Sequence, residues 1–184
     1  MRIFTSDYSL LMTDKKENIL NSALELFANE GVNATSTNKI AKQAGVSEGL
    51  IFRHFINKKG LLEEIIENAE EKAWLLFETI LIQKDAKAVI KKAIELPFSI
   101  DESEYNYWKL QFKLKWEAAY NNPKKMKPLI EKLTWAFTEL AYENPVLEAQ
   151  HLSQIIEGIS TEILRGNLQN QQEFQQFLKQ KYSL

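Results

Sequence analysis

The chain has 184 residues, with 23 Lys and Arg against 25 Asp and Glu, a formal net charge of −2, and no cysteine. Disulfides and thiol chemistry are therefore excluded, and no run approaches the roughly eighteen apolar residues of a membrane span. Residues 1–12 include Asp7 and no long apolar core, so they do not read as a signal peptide. A soluble, cytoplasmic protein is expected, with room for one small module and one larger body.

Residues 1–12 read as a poorly ordered arm. Asp14 followed by Glu17 is a capping-box pattern, and Ile19, Leu20, Ala23, Leu24, Leu26 and Phe27 then recur at helical period. That helix should stop at Gly31. Thr35 and Ser36 offer caps for a second helix from about Thr37, in which Ile40, Ala41 and Ala44 share one face. Gly45 takes the positive φ that ends it, and Val46 plugs the turn. Ser47 is placed to accept from the backbone N–H groups that open a third helix. There Ile51 and Phe55 point inward, while Leu50, Arg53 and His54 do not. Two short helices across a tight turn, the second with a free face, are the sequence form of a helix-turn-helix, which reads DNA in the major groove. From Ser36 to Gly60, Lys39, Lys42, Arg53, Lys58 and Lys59 stand against Glu48 alone, a balance of +4 in an otherwise acidic chain. A basic module on an acidic protein fits binding through a local patch.

The stretch 14–62 resembles the TetR/AcrR family of bacterial transcriptional regulators. The resemblance rests on Ile19-Leu20, Ala23, Leu26-Phe27, Gly31, Thr35-Ser36, Ile40-Ala41, Ala44-Gly45-Val46-Ser47, Gly49, Phe52, His54-Phe55, Lys58 and Leu61-Leu62. It implies an all-α protein: a helix-turn-helix domain at 13–58, then a helical ligand-binding and dimerisation domain at 59–184. It further implies a homodimer that binds an inverted-repeat operator in double-stranded DNA, commonly as a repressor released by a small-molecule effector. Neither metal nor cofactor is implied.

The family's DNA-contacting places fall on Ser36, Thr37, Asn38, Ser47, Glu48, Gly49, Leu50, Phe52, Arg53, His54 and Lys58. Ser36, Ser47 and Lys58 then read as phosphate contacts, two at helix N-termini and one through charge. Gly49 lets the helix backbone approach the duplex. Leu50 suits a thymine methyl, and Arg53 or His54 a base edge or a phosphate. Phe52 stands where the family commonly has tyrosine, so the phosphate-bonding hydroxyl is missing. Glu48 either accepts from a cytosine amino group or is a solvated charge.

Downstream, no strand alternation is found. Helices are expected at 59–82, at 85–96 before Pro97, and at 101–120 behind the capping pair Asp101 and Glu104. Two more, at 123–143 and 145–165, each open on Asn-Pro, and a last one runs over 171–183. The helix 101–120 carries Tyr105, Trp108, Phe112 and Trp116 on one side and Tyr107, Leu110, Leu114 and Ala118 on the other, so it should be sandwiched. With Trp74, Phe77, Phe98, Tyr120 and Trp135, its aromatics either wall a pocket for a flat, greasy ligand or simply fill a core. Ala149, Leu152, Ile155, Ile156, Ile159 and Ile163 form one stripe, and Phe174, Phe177, Leu178 and Tyr182 another. Two such helices suit a four-helix bundle shared across a two-fold axis. Two histidines, His54 and His151, without metal-ligand spacing, a phosphate-cradling loop or a nucleophile elbow, speak against an enzyme. The rival reading is a helical adaptor that keeps the module but acts through a protein partner.

Overall fold

The computed structural model describes residues 4–115, 117, 120 and 124–184, with side chains from Asp14 onward. Among the described residues every regular element is helical. None of these helices is long and apolar enough to cross a membrane. The chain divides into two compact units, Met1–Glu70 with Asn106–Leu114, and Glu71–Tyr105 with Lys115–Leu184. The first unit takes in the opening half of the long helix that follows residue 58, as far as Glu70.

The first unit holds α1 (Phe4–Glu30), α2 (Thr37–Gln43), α3 (Glu48–Phe55) and the first half of α4 (Lys58–Leu81). α1 begins ahead of Asp14, so residues 4–12, expected as an arm, extend it, and the capping box opens no helix of its own. Its positions Ile19, Ala23 and Phe27 lie on one face and are fully buried. α2 and α3 have 7 and 8 residues, too short to persist alone in water. They stand because Ile40 and Ala41 of α2 and Ile51 and Phe55 of α3 are buried. Each such large apolar side chain contributes about 1.5–3 kcal/mol. Gly45, at φ +67°, makes the turn between them without the steric cost a side chain would bring.

The joint from α3 to α4 is tighter. Asn57 N–H donates to the Phe55 carbonyl at 2.7 Å across Ile56, whose φ is +65°. This is a γ-turn, a strained conformation for a β-branched residue. Asn57 Oδ1 then accepts from Gly60 N–H at 2.9 Å. A Cβ on Gly60 would lie 2.2 Å from the Phe55 carbonyl oxygen, so the backbone closes only over a bare Cα.

The second unit holds the rest of α4, α5 (Ala86–Glu95), two 3-10 turns (Leu96–Ser99 and Glu102–Glu104), α7 (Lys127–Glu139), α8 (Pro145–Leu164) and α9 (Gln171–Lys181). The Asp85 carboxylate caps α5 by accepting from Ala88 N–H at 2.8 Å. Pro97 does not stop the chain's winding; α5 tightens into the first 3-10 turn. Asp101 caps the second, accepting from Ser103 N–H at 2.8 Å, and α6 (Tyr105–Leu114) follows, ending earlier than the expected 120. Leu110 and Leu114 are its buried residues, and from Asn106 on it belongs to the first unit. Trp116, Ala118 and Pro123 lie outside the described residues.

α5 and α7 pack on α8, and α9 packs on α5. The stripe expected at a two-fold interface is largely consumed here: Leu152, Ile156, Ile159, Ile163 and Leu178 are buried in the unit's own core with Phe137 and Leu133. A helix-period stripe is satisfied equally by its own chain or by a second copy, and here its own chain takes it. Ile155 is half-buried, and Phe174 and Phe177 stay 37% and 58% exposed.

One core group is out of register with its surroundings. Tyr182 is buried, and its hydroxyl has no hydrogen-bond partner among the described residues. Burial, and then the nearby Glu148 and Tyr142, push the phenol up from the usual 10 to about 12. The unfolded chain loses this proton first, so the contribution is complete below pH ~10 and is lost as pH rises through about 12. Tyr182→Phe is expected to fold at least as stably as wild type, because an unpaired buried hydroxyl is removed. In urea titrations at stepped pH, the gap in favour of the variant should widen above pH ~10. A gap that stays constant between pH 8 and 11 would contradict this account of the phenol.

Candidate nucleic-acid interface

The first unit assembles its polar groups around the N-termini of α2 and α3. Thr35 is buried, and its hydroxyl donates to the Gly31 carbonyl at 2.9 Å, pinning the loop that follows α1. Ser36 comes next and caps α2, its hydroxyl accepting from Lys39 N–H at 3.1 Å. Thr37 then donates through its hydroxyl to Glu48 Oε1 at 2.6 Å, joining the first residue of α2 to the first of α3. Glu48 is thus half-buried and engaged within the protein through Oε1. Asn38 is exposed beside this pair.

Ser47 has the extended backbone of a cap (φ −76°, ψ 147°), but its side chain makes no capping bond. The expected bond is missing, and the hydroxyl stays exposed at the start of α3. Gly49 is exposed too, and a Cβ built there would meet nothing within 4 Å. Glycine costs a helix roughly 1 kcal/mol relative to alanine, and no internal contact of this protein asks for it. Along the same helix Leu50 is half-buried, Phe52 is 46% exposed and Arg53 is exposed. His54 departs from the outward-facing role expected of it. Its ring lies 5.9 Å from that of Phe55, and its Nε2 is enclosed without a partner. Arg53 is left as the outward cation of α3.

The cations expected to form one free patch have separate fates. Lys39 pairs with Glu30 at 2.5 Å, and Lys59 with Glu63 at 3.3 Å. Lys58 turns back on the protein, its ammonium donating to the carbonyls of Val32 at 2.9 Å and Thr35 at 3.0 Å. Lys42 and Arg53 are exposed and form no ion pair among the described residues. Lys42, at the end of α2, was not singled out from the sequence as a contact, because nothing local separates it from any solvated lysine. Ile56 was not either, yet it is 81% exposed directly after α3.

The aromatic candidates of the body fall in both units. Trp108 and Phe112 belong to the first unit, and Trp74, Phe77, Phe98, Tyr105, Tyr120 and Trp135 to the second. Phe77, Phe98, Tyr105 and Trp135 pack against the second unit's core, while Trp74 is exposed. Lys132 lies with its ammonium 4.3 Å from the centroid of Trp135, one helical turn away.

Comparisons with known proteins meet this geometry at the same place. Residues 19–65 match a family described as bacterial regulatory proteins, tetR family. Over 57 residues the chain is 46% identical to the HTH-type transcriptional regulator AcrR of Shigella flexneri, covering 31% of this chain and 26% of that protein. Across the curated relatives it matches, the chain spans between about a quarter and a half of their length. The backbone likeness extends further. A TetR-like transcriptional regulator from Rhodococcus sp. RHA1 superposes with a TM-score of 0.76 at 16% identity, covering 90% of this chain and 91% of that one. NalD, the secondary repressor of the MexAB-OprM multidrug efflux pump in Pseudomonas aeruginosa, gives 0.66 at 23% identity, covering 91% and 92%. At these identities the likeness is one of fold: an N-terminal helix-turn-helix domain followed by a helical body.

Proposed function

We propose that this protein, whose residues 19–65 match the tetR family of bacterial regulatory proteins, is a sequence-specific DNA-binding regulator of the repressor class. It acts as a homodimer on an inverted repeat. The observation that carries the reading is the presentation of α3: Ile51 and Phe55 anchor it inward, and Ser47, Gly49, Phe52 and Arg53 stand open along the rest. An exposed short helix, backed by a core and opened by an uncapped serine, fits a major groove with its first turn against phosphate. Bound across a promoter, such a dimer excludes polymerase. The second unit supplies the partner surface through Phe174 and Phe177. A small-molecule effector is assigned to that unit as well, on the support of its aromatic content.

The test is selection from random duplex DNA with the purified protein. An inverted repeat should emerge, and its affinity should fall steeply with salt. Lys42 and Arg53 on each of two subunits would neutralise about four phosphates. Between 50 and 200 mM salt the affinity should then drop roughly a hundredfold. Arg53→Ala is expected to weaken binding about ten- to hundredfold without unfolding the protein. Recovery of no repeat, together with a flat salt response, would favour the adaptor reading instead.

A further inference from the structure

Lys58 is expected to meet a phosphate, and its ammonium is instead turned back onto the protein. It is the first residue of α4, where the helix dipole disfavours positive charge. Its ammonium is nonetheless fixed by two carbonyls of the loop before α2, Val32 and Thr35. That loop is latched again by the Thr35 hydroxyl on Gly31. Ser36, the next residue, caps α2, and Thr37 binds Glu48 at the head of α3. One line of hydrogen bonds therefore runs from the start of α4, through the loop, to the N-termini of both helices of the reading motif.

We infer that Lys58 is a positioning residue for DNA recognition: it sets the height of the α2 and α3 N-termini, and its charge is not a phosphate contact. The inference rests on the DNA-binding reading above, and two independent readouts separate its failure from the failure of that reading. A lysine that neutralises a phosphate contributes about 0.9 to the slope of log affinity against log salt; a lysine that positions contributes nothing to it.

Lys58→Met and Lys58→Arg are compared with wild type on the duplex selected above, and amide hydrogen exchange is followed in the free proteins. Lys58→Met should lose about tenfold or more in affinity, with the salt slope unchanged. It should also exchange faster at Lys39 and Ile40, whose N–H groups bond Ser36. Lys58→Arg, which keeps both charge and donors, should restore most of the affinity and the protection. A slope reduced by about 0.9 per half-site, or unchanged exchange at α2, would overturn the inference. Should wild type bind no duplex, the regulator reading fails, and the exchange result alone decides whether Lys58 holds α2. If Lys58→Met does not fold, Lys58→Gln, which drops the charge and keeps an N–H donor for the loop carbonyls, takes its place: an unchanged slope upholds the inference, and a slope reduced by about 0.9 per half-site overturns it.

Discussion

The double variant Phe174→Glu/Phe177→Glu is expected to be a folded monomer with at least a hundredfold weaker hold on the selected duplex. The two rings sit 6.1 Å apart, tilted at 48°, on a face of α9 that the chain's own core leaves uncovered. In an isologous interface each position occurs once on either subunit, so four phenylalanine side chains leave water together. At about 1.5–3 kcal/mol per fully buried side chain, this is enough to make dimerisation sensitive to their loss. Replacing them puts four carboxylates around one axis, where desolvation and like-charge repulsion both oppose association. Sedimentation velocity reads the mass and far-UV circular dichroism the fold. Binding should fall because a lone subunit holds only half of the repeat. A variant that remains dimeric would place the subunit contact on a different surface, and a wild type that is monomeric at micromolar concentration would remove the dimer altogether.

Phe137→Ala carries the largest expected effect on stability. The Phe137 ring is fully buried in α7, edge-on to Tyr142 at 4.9 Å and tilted toward Tyr182 at 5.9 Å. Its removal forfeits the transfer of the ring and leaves a hole that two further rings line without filling. Comparable truncations cost about 3–5 kcal/mol. Against a total of roughly 5–15 kcal/mol for a domain, that is a large fraction of what keeps the second unit folded. Urea denaturation should show a lower midpoint with an unchanged slope. A cost under about 1 kcal/mol would mean that α7 and α9 close over the gap, and the ring would not be the keystone its burial indicates.

What could be read before any coordinates was what depends on neighbours in the chain. Gly45 ends α2, Pro145 opens α8, and the inward pair Ile51 and Phe55 is four residues apart; each is a local rule with a local cause. What could not be read is set by partners far along the chain. Lys58 meets carbonyls 26 and 23 residues away, and Glu48 meets a hydroxyl 11 residues back. Both look like free charges when only the string is seen. The α8 stripe shows a third kind of limit. Periodicity says which side of a helix must be covered, but not whether the cover comes from the same chain. Ser47 shows a fourth, since a residue suited to capping fixes the backbone of a helix start without obliging its side chain to make the bond.

The joint at Ile56 bounds how much genetic text one polypeptide can decipher. Because the backbone reverses there, α3 cannot run on into α4, and its 8 residues stay about 12 Å long. At 3.4 Å per base pair, that length spans roughly three to four pairs. A four-letter word of that size recurs by chance about once in 250 positions, too often to mark a single promoter. Two copies of the same short reader raise the rarity to its square.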